Sequence, residues 1–273
     1  MSEFLRNLSP KGRKIALSVF VATVTIGVVG GGYFAVTKVK EVQEQKAALK
    51  LEEEKKAEEA KKAAEEEARK ELIKNSKVAY LTFDDGPHTY NTEKVLNVLA
   101  ANDIKATFFM VGNMAQKNPE VVKKVKEAGH TIANHTTNHR YSYKSNEEFL
   151  ADIQDTDEKI SAALGEEHKS LFVRVPGGSM GKKLEKSVLA DNGYIDTNWN
   201  SLNGDSEKGG RVSKDYIINR VKETVGDDQY EVVLMHDIKS VTAENLQDII
   251  DTIKEEGYIF EPLAKDSPIS FRN

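Results

Sequence analysis

From Ser76 to the C-terminus, short apolar runs alternate with longer amphipathic stretches, and few architectures accommodate such a pattern. Short apolar runs predict buried strands, whereas apolar residues at helical spacing predict helices. The predicted strands are Val78–Phe83, Ala106–Val111, His130–Asn134, Leu171–Val175, Tyr194–Trp199, Val232–Met235 and Tyr258–Phe260. The predicted helices are Thr92–Ala101, Pro119–Ala128, Asn146–Leu164, Lys183–Asp191, Ser213–Val225 and Ala243–Glu255. This alternation indicates an α/β fold with a parallel sheet.

The number of repeats favours a closed or nearly closed barrel with helices on its outside. An open, doubly wound sheet is the alternative interpretation of the same alternation. No Gly-x-Gly-x-x-Gly motif follows the first predicted strand, so the sequence gives no indication of a dinucleotide cofactor.

Polar side chains cluster directly after the predicted strands. In parallel α/β architectures the carboxyl ends of the strands share one face, where active sites form. We therefore expect these segments, although distant in sequence, to lie together at the carboxyl end of the sheet. They are Asp84 and Asp85, His135 and His139, Arg174 to Gly178, Asn200 to Asp205, and His236 with Asp237.

Two adjacent carboxylates, Asp84 and Asp85, stand where the first apolar run breaks at Gly86-Pro87. Taken alone, this segment could equally be an ordinary turn, because Asp, Gly and Pro all favour turns. His135 and His139, four residues apart, change that interpretation, although two histidines at this spacing are by themselves a weak signal. One carboxylate and two imidazoles can hold a metal with a position left for water. The second carboxylate would then be available as a base.

The other histidines carry weaker signals. His130 opens a predicted strand and is interpreted as structural. His88 follows the Gly-Pro turn, where structural and functional roles are equally compatible with its position, since loops carry both. His168 lies among charged residues in a predicted solvated loop.

Composition excludes several classes of protein. The formal net charge of the 273 residues is −5, which argues against a nucleic-acid partner. Cysteine is absent, so disulfides, thiolate metal sites and a cysteine nucleophile are all excluded. A domain of about 200 residues can bury enough surface to be stable without disulfides.

The N-terminal region predicts a membrane anchor. Residues 1–14 form a basic tail, and residues 15–36 contain no charged side chain. Such a segment is long enough to span a bilayer as a helix. The preceding basic residues favour a cytoplasmic N-terminus, which would place the following domain outside the cytoplasm. A cleaved signal peptide is the competing interpretation, but the segment is long and lacks a small-residue cleavage site.

Residues 37–75 form a spacer built mostly of Lys, Glu and Ala, without Pro or Gly. These residues favour helix. The apolar positions do not sustain a heptad repeat, so the sequence does not support a stable coiled coil. If fully helical, the spacer could extend roughly 50 Å at about 1.5 Å per residue. Residues 76–273 are then the globular domain.

Four segments of that domain resemble, in order, the motifs of the polysaccharide deacetylases, the NodB-homology group that forms carbohydrate esterase family four. They are Thr82 to Pro87, His135 to His139, Arg174 to Gly178, and Leu234 to His236. The resemblance extends from about Lys77 to Leu263. It implies a distorted (β/α) barrel of seven or eight strands and the removal of acetyl groups from N-acetylated sugar polymers with a divalent metal.

The resemblance also implies a role for each matching residue. Asp85, His135 and His139 correspond to the metal ligands. Zn²⁺ is the expected ion, with Co²⁺, Ni²⁺ and Mn²⁺ as alternatives, because such a ligand set does not discriminate sharply. Asp84 corresponds to the base that accepts a proton from water. Arg174 corresponds to the arginine that pairs with this base.

The remaining correspondences concern the leaving group and the acetyl pocket. His236 matches the acid that protonates the departing amine, and Asp205 matches the acidic residue that orients this histidine. Gly177 occupies the position whose backbone N–H stabilises the oxyanion. Leu234 matches a wall of the acetyl pocket.

The chain departs from the family pattern at two positions. Gly177 stands where the family usually has an aromatic or large residue, so a side chain that contacts sugar is missing. Ser206 follows Asp205, where the family usually has Trp. Trp199 could fill that gap, but its position at the end of an apolar run favours a place in the core.

These observations predict a membrane-anchored hydrolase that removes N-acetyl groups from a cell-wall glycan. Anchoring through a long spacer favours peptidoglycan, at its N-acetylglucosamine residues, as the substrate. Poly-N-acetylglucosamine, chitin-like polymers and acetyl-xylan are the alternative substrates. A catalytically silent glycan-binding module is the alternative from another functional class, and the presence of both Asp84 and His236 argues against it.

Overall fold

A computed structural model of the protein describes residues 32–178, 184–185, 187–226 and 228–269, and for residues 32–42 the backbone only. The predicted tail, residues 1–14, and most of the predicted anchor, residues 15–36, lie outside the described residues. Within the described part of the chain, none of the helices combines the length and apolarity that crossing a membrane requires. The chain divides into two units, and the second begins at Leu72.

One helix, α1, runs from Gly32 to Lys74 through the Lys-, Glu- and Ala-rich segment. Its exposed side chains form ion pairs one turn apart, such as Lys56 with Glu52 and Lys62 with Glu58, each at 2.8 Å between N and O atoms. Each such pair contributes only about 0.3–0.5 kcal/mol. The helix is therefore favoured mainly by the propensity of its residues.

The second unit is built on a sheet of eight parallel strands in the order β5-β4-β3-β2-β1-β7-β6, with β8 pairing β1 beside that path. The central strand β1 pairs with β7 along nearly its whole length. The strands are β1 Lys77–Asp84, β2 Thr107–Met110, β3 Thr131–Asn134, β4 Phe172–Val173, β5 Ile195–Asp196, β6 Ser201–Leu202, β7 Tyr230–His236 and β8 Tyr258–Phe260.

Helices follow most of the strands, as expected for parallel connections. They are α2 Asn91–Ala101, α3 Gly112–Lys117, α4 Pro119–Glu127, α5 Asn146–Leu164, α6 Val188–Asp191, α7 Lys214–Thr224 and α8 Ser240–Glu255. The longest of these, α5, begins after Ser145, whose hydroxyl accepts a hydrogen bond from the Glu148 N–H. It ends at Gly165, where a φ of 77° suits glycine.

The two faces of the sheet carry different clusters. Successive residues of a strand point to opposite faces. Ala79, Leu81 and Phe83 of β1 therefore pack in the cluster that includes apolar residues of α2 and α8. Val78 and Tyr80 face the other way, into a cluster that contains residues of β2, β3, β4 and β7. This second cluster fills the inner face of the curled sheet.

The sequence predicted the α/β class and the parallel sheet, and both are confirmed. The predicted closed or nearly closed barrel is observed only in part: the sheet curls into a half-barrel, and its two end strands, β5 and β6, do not pair with each other. The sequence missed β6, at Ser201–Leu202, and placed these residues in a polar loop. It also missed the short helix α3. Both are short elements, and a two-residue strand has no periodicity to detect.

His130 is buried and accepts a hydrogen bond at Nδ1 from the Ala106 N–H, at 3.1 Å. Burial, with a smaller contribution from the charge of Lys105, lowers its pKa from 6.5 to about 4. The unfolded chain thus binds a proton near pH 6.5 that the folded chain excludes until about pH 4. Acidification through this interval should destabilise the fold, because protons favour the unfolded state.

We expect His130→Gln, which keeps an acceptor at this position, to remove that dependence. Urea unfolding at pH 7.5 and pH 4.5 would measure it. On acidification, the free energy of unfolding of the wild type should fall by up to roughly 3 kcal/mol more than that of the variant, since each pKa unit corresponds to about 1.36 kcal/mol. An equal loss in both proteins would contradict this role of His130.

Candidate active site

The two neighbouring carboxylates at the end of β1 have different surroundings. Asp84, the last residue of the strand, lies on the same face as Tyr80 and Thr82 and is buried within the curled sheet. Asp85 follows the strand with a φ of 73°, in the left-handed region that non-glycine residues seldom adopt. The bend at this residue directs the second carboxylate to the carboxyl end of the sheet.

Asp85, His135 and His139 lie close enough to share one ion, since their candidate ligand atoms are all within 4.8 Å of one another. The Asp85 Oδ1 atom is 3.4 Å from Nε2 of His135 and 3.2 Å from Nε2 of His139. The predicted convergence of the first and third strands is therefore observed. The arrangement leaves the imidazole edges of both histidines facing one carboxylate oxygen.

The loop that carries both histidines is held by α5. The Asn134 side chain donates hydrogen bonds to the Ile153 carbonyl and to Asp157, and its oxygen accepts one from the Thr136 N–H. Thr136 and His139 both have positive φ, 66° and 59°. Non-glycine residues hold such angles only where the surroundings enforce them, and they cluster at functional sites.

The donor set fits a divalent metal. Oδ1 of Asp85 is buried and has no hydrogen-bond partner among the described residues. Nδ1 of His135 lies 2.7 Å from the Arg174 carbonyl, so it donates and leaves the Nε2 lone pair facing Asp85.

The protonation states agree with that fit. Burial would raise the pKa of Asp85, but the neighbouring imidazoles of His135, His236 and His139 outweigh it and lower the pKa to about 2. Burial also lowers the pKa of His139. Both groups are thus deprotonated near neutral pH, as metal ligands must be.

Arg174 is fully buried and organises the site from inside the sheet. Its Nη1 donates to Asp84 Oδ1 at 2.7 Å and to the Thr82 hydroxyl at 2.8 Å. Nε and Nη2 donate to the carbonyls of Thr197 and Asn198, and the guanidinium lies 4.1 Å from the Phe109 ring centroid. A buried guanidinium with its donors paired in this way holds Asp84 in place.

His236 and Asp205 form the opposite side of the site. The imidazole Nδ1 lies 2.6 Å from Asp205 Oδ1, and Nε2 lies 3.9 Å from Asp85 Oδ2. Asp205 is buried, and its Oδ2 accepts hydrogen bonds from the His236 N–H and the Thr242 hydroxyl. The hydroxyl in turn accepts a hydrogen bond from Asn203. The carboxylate thus fixes the ring, with Nε2 directed towards Asp85.

Asp205 also sets the charge of this imidazole. Burial lowers the pKa of His236, but the hydrogen bond and charge of Asp205, together with Asp84 and Asp85, outweigh burial and raise the pKa to about 9. Near neutral pH the ring is therefore protonated and can donate. Asp84 and His236 provide a carboxylate and an imidazolium on two sides of Asp85, a pairing that suits a base and an acid acting at one pH.

The two predicted substrate-contacting residues, Gly177 and Leu234, also lie at the carboxyl end of the sheet. Gly177 is exposed in a tight turn, Pro176–Gly178, with a φ of 73°. Leu234 is buried on β7, two residues before His236, and its backbone pairs with Thr82 of β1. Alternation along β7 puts Leu234 on the face that His236 occupies.

Two residues without a predicted role support the Asp85 turn: Asp237, which was expected at this end of the sheet, and Thr92, which was not. The Thr92 hydroxyl donates to Asp237 at 2.5 Å, and a side chain at Gly86 would come within 2.3 Å of the Asp237 carboxylate. Burial, reinforced by the charge of Asp85, raises the pKa of Asp237 to about 7. The adjacency of Asp237 to His236 was the only signal in the sequence.

The remaining sequence candidates lie outside the cluster that could hold a metal. His88 Nδ1 accepts hydrogen bonds from the N–H groups of Tyr90 and Asn91, which is a structural contact. His168 is half-buried near Ser170. Trp199 is only partly buried: it packs against the inner cluster and also lines a cavity with Gly177 and Gly178.

Comparison with known proteins agrees with the geometry. The sequence model of the family described as polysaccharide deacetylase matches residues 72–195. A peptidoglycan-N-acetylglucosamine deacetylase of Bacillus cereus ATCC 14579 is 34% identical over 199 residues, which cover 71% of this chain and 90% of that protein. The chain belongs to the polysaccharide deacetylase family. The resemblance carried by the four motifs is thereby confirmed.

Solved structures of polysaccharide deacetylases are also similar. The catalytic domain of a peptidoglycan N-acetylglucosamine deacetylase from Eubacterium rectale ATCC 33656 has a TM-score of 0.65 and 30% identity, covering 73% of this chain and 94% of that chain. A family-four pseudoenzyme from Bacillus anthracis has a TM-score of 0.61 and 26% identity, covering 69% of this chain and 64% of that chain. Fold alone therefore does not decide activity within this family.

We expect Asp205→Asn to lower the pKa of His236, because the carboxylate that outweighs burial is lost. The protonated imidazole would then disappear at a lower pH. The alkaline limb of the pH–rate profile should move towards neutrality, with a decrease in kcat of up to about 100-fold. Asp191→Asn, an exposed change on α6, is the matched control and should leave the profile unchanged. An unchanged alkaline limb in Asp205→Asn would contradict the assigned role.

Proposed function

We propose that this polysaccharide deacetylase hydrolyses N-acetyl groups on N-acetylglucosamine residues of a cell-wall glycan, with peptidoglycan as the first candidate. The observation that carries the proposal is the cluster of Asp85, His135 and His139 flanked by the ion-paired Asp84 and the charged His236. A glycan-binding module would need no such combination of acid and base. The similarity to peptidoglycan deacetylases supports the choice of substrate.

Asp85, His135 and His139 would hold a divalent ion, most simply Zn²⁺, with Co²⁺, Ni²⁺ or Mn²⁺ as alternatives. When bound, such an ion polarises a carbonyl and lowers the pKa of water towards neutrality. Two features of this chain support metal binding. Oδ1 of Asp85 is buried without a hydrogen-bond partner among the described residues, and the Nδ1–H of His135 is held by the Arg174 carbonyl.

The chain's own residues supply the proton transfers. Water adds to the acetyl carbonyl carbon, and Asp84 accepts the proton that the water loses. Arg174 keeps Asp84 oriented during this step. The carbon–nitrogen bond then breaks as His236 donates its Nε2 proton to nitrogen, giving a free amine and acetic acid, which ionises to acetate in solution. His236 thus acts in the protonated state that the Asp205 carboxylate favours.

Two further residues would shape the acetyl pocket. The Gly177 N–H would stabilise the developing oxyanion, an interaction that needs a backbone donor and no side chain. Leu234 would provide an apolar wall for the acetyl methyl group. Ser206, in place of the usual Trp, leaves the pocket without the wall that this larger residue supplies in relatives.

We also propose that residues 15–36 anchor the protein in the membrane, with the N-terminus in the cytoplasm and the catalytic domain outside. The charged helix α1 would then act as the spacer that reaches the wall. The uncharged sequence of residues 15–36 and the basic residues before it support this proposal.

Acetate release from purified polymers by the globular domain, residues 76–273, would test the activity. We expect release from peptidoglycan that is lost with chelator and restored by added Zn²⁺ or another divalent ion. Analysis of the sugars should show free amines on glucosamine. Release only from poly-N-acetylglucosamine, chitin or acetyl-xylan would contradict the choice of substrate and favour that polymer.

Asp84→Asn separates catalysis from binding. This variant should bind metal with a stoichiometry like that of the wild type, because the three ligands remain, and should release acetate at least about 100-fold more slowly. Asp191→Asn again provides the matched control. Equal turnover in the wild type and Asp84→Asn would contradict the assigned base, and absence of turnover in both on every polymer would favour a silent binding module.

A further inference from the structure

Exposed large hydrophobic side chains are rare among the described residues. They are Leu51, Leu72, Tyr90 and Tyr141, and the two leucines belong to α1. Isolated exposed apolar residues need no explanation by themselves. Tyr141 is distinguished by its position, because it follows the metal-ligand candidate His139 by two residues and leaves 65% of its surface exposed.

The Tyr141 ring lies between two parts of the candidate active site. Its centroid is 5.0 Å from that of the His139 ring, and the two planes are nearly perpendicular at 88°. A Cβ atom at Gly177 would meet the Tyr141 ring at 3.4 Å. The tyrosine thus occupies the space beside Gly177 that a side chain at that position would enter.

The side chains of Arg140 and Tyr143, on either side of Tyr141, contact α5. Arg140 pairs with Glu148 at 2.8 Å and lies over the Tyr143 ring. The Tyr143 hydroxyl donates to Asp152 at 2.5 Å, and its ring is buried. Within this loop, the ring of Tyr141 is therefore the one presented to solvent at the site.

We propose that Tyr141 is a substrate-positioning residue whose ring stacks against a pyranose ring of the glycan. The inference rests on the proposed function and deepens it by naming a residue that determines sugar affinity. An aromatic ring with a polar tip suits a sugar, because the apolar C–H face of the pyranose covers the ring while the hydroxyl stays in water. The bare backbone at Gly177 leaves the ring accessible beside the reacting groups.

A purely structural role would be different. Tyr141 could only hold the His139 ring, in which case its loss would weaken metal binding and affect every substrate equally. A stacking platform predicts instead that sugar affinity changes and metal affinity does not. The two roles can therefore be separated by measuring both affinities in one set of variants.

The experiment uses Tyr141→Ala and Tyr141→Phe, each also combined with Asp84→Asn so that binding is measured without turnover. Titration calorimetry with a chitin-type N-acetylglucosamine oligosaccharide and with Zn²⁺ gives the two dissociation constants. We expect Tyr141→Ala to weaken oligosaccharide binding about tenfold and Tyr141→Phe to weaken it less than threefold, since the stacking face survives. Zn²⁺ affinity should stay within twofold in both.

Tyr90→Ala is the matched control, because Tyr90 is 62% exposed on another loop and its ring lies under the Lys94 ammonium group. It should leave oligosaccharide affinity unchanged. Unaltered oligosaccharide binding in Tyr141→Ala, an equal loss in Tyr90→Ala, or a parallel loss of Zn²⁺ affinity would overturn the proposal.

Steady-state kinetics give a second readout. With an active glycan substrate, Tyr141→Ala should raise KM about tenfold while kcat changes less than threefold. If the wild type releases no acetate from any glycan, the proposed function fails, and the calorimetric comparison still decides whether Tyr141 binds sugar.

Discussion

The Arg174 guanidinium is the interaction on which the architecture of the site depends. It is fully buried and joins Asp84 and Thr82 on β1 to the carbonyls of Thr197 and Asn198 after β5. Its own carbonyl accepts the hydrogen bond from His135 that fixes the imidazole tautomer. One residue therefore positions the proposed base through its side chain and a proposed metal ligand through its backbone. Replacing a partner of such a buried ion pair strands the remaining charge, which is costly.

The curled parallel sheet explains why these groups meet. The residues of β1 that face inwards end in Thr82 and Asp84, and those of β7 end in Leu234 and His236. Pairing of β1 with β7 places Asp84 directly beside His236 in register. The apolar inner cluster below them excludes water from Asp84 and Arg174. The proposed acid and base are thus held on adjacent strands, while the loops beyond them carry the metal-ligand candidates.

Much of this arrangement could be predicted from sequence. Strong apolar runs identified β1 and β7, and the resemblance to the polysaccharide deacetylases identified the residues that gather at the site. Individual contacts between these segments could not be predicted, because nothing in the sequence around Asp237 indicates that its carboxylate lies beside Gly86. The strand β6 was missed because two residues carry no periodic signal. The position of Tyr141 beside Gly177 depends on the path of two loops, which local sequence does not specify.

The structure shows what surrounds Gly177, one of the two departures from the family pattern. At Gly177, where the side chain is missing, the Tyr141 ring of another loop lies within van der Waals distance of the Cβ position. A single substitution in a motif therefore does not by itself indicate lost function. The pseudoenzyme with a similar fold shows the converse, since a fold of this kind can persist without activity.

The central claim is that Asp85, His135 and His139 bind one divalent ion while Asp84 stays paired with Arg174 and outside the coordination shell. A crystal structure of the domain grown with Zn²⁺, with anomalous diffraction measured on both sides of the zinc edge, tests it directly. The account predicts one anomalous peak within coordination distance of those three side chains, with the Asp84–Arg174 ion pair intact. A peak elsewhere, no peak, or Asp84 displaced from Arg174 into the coordination shell would contradict it.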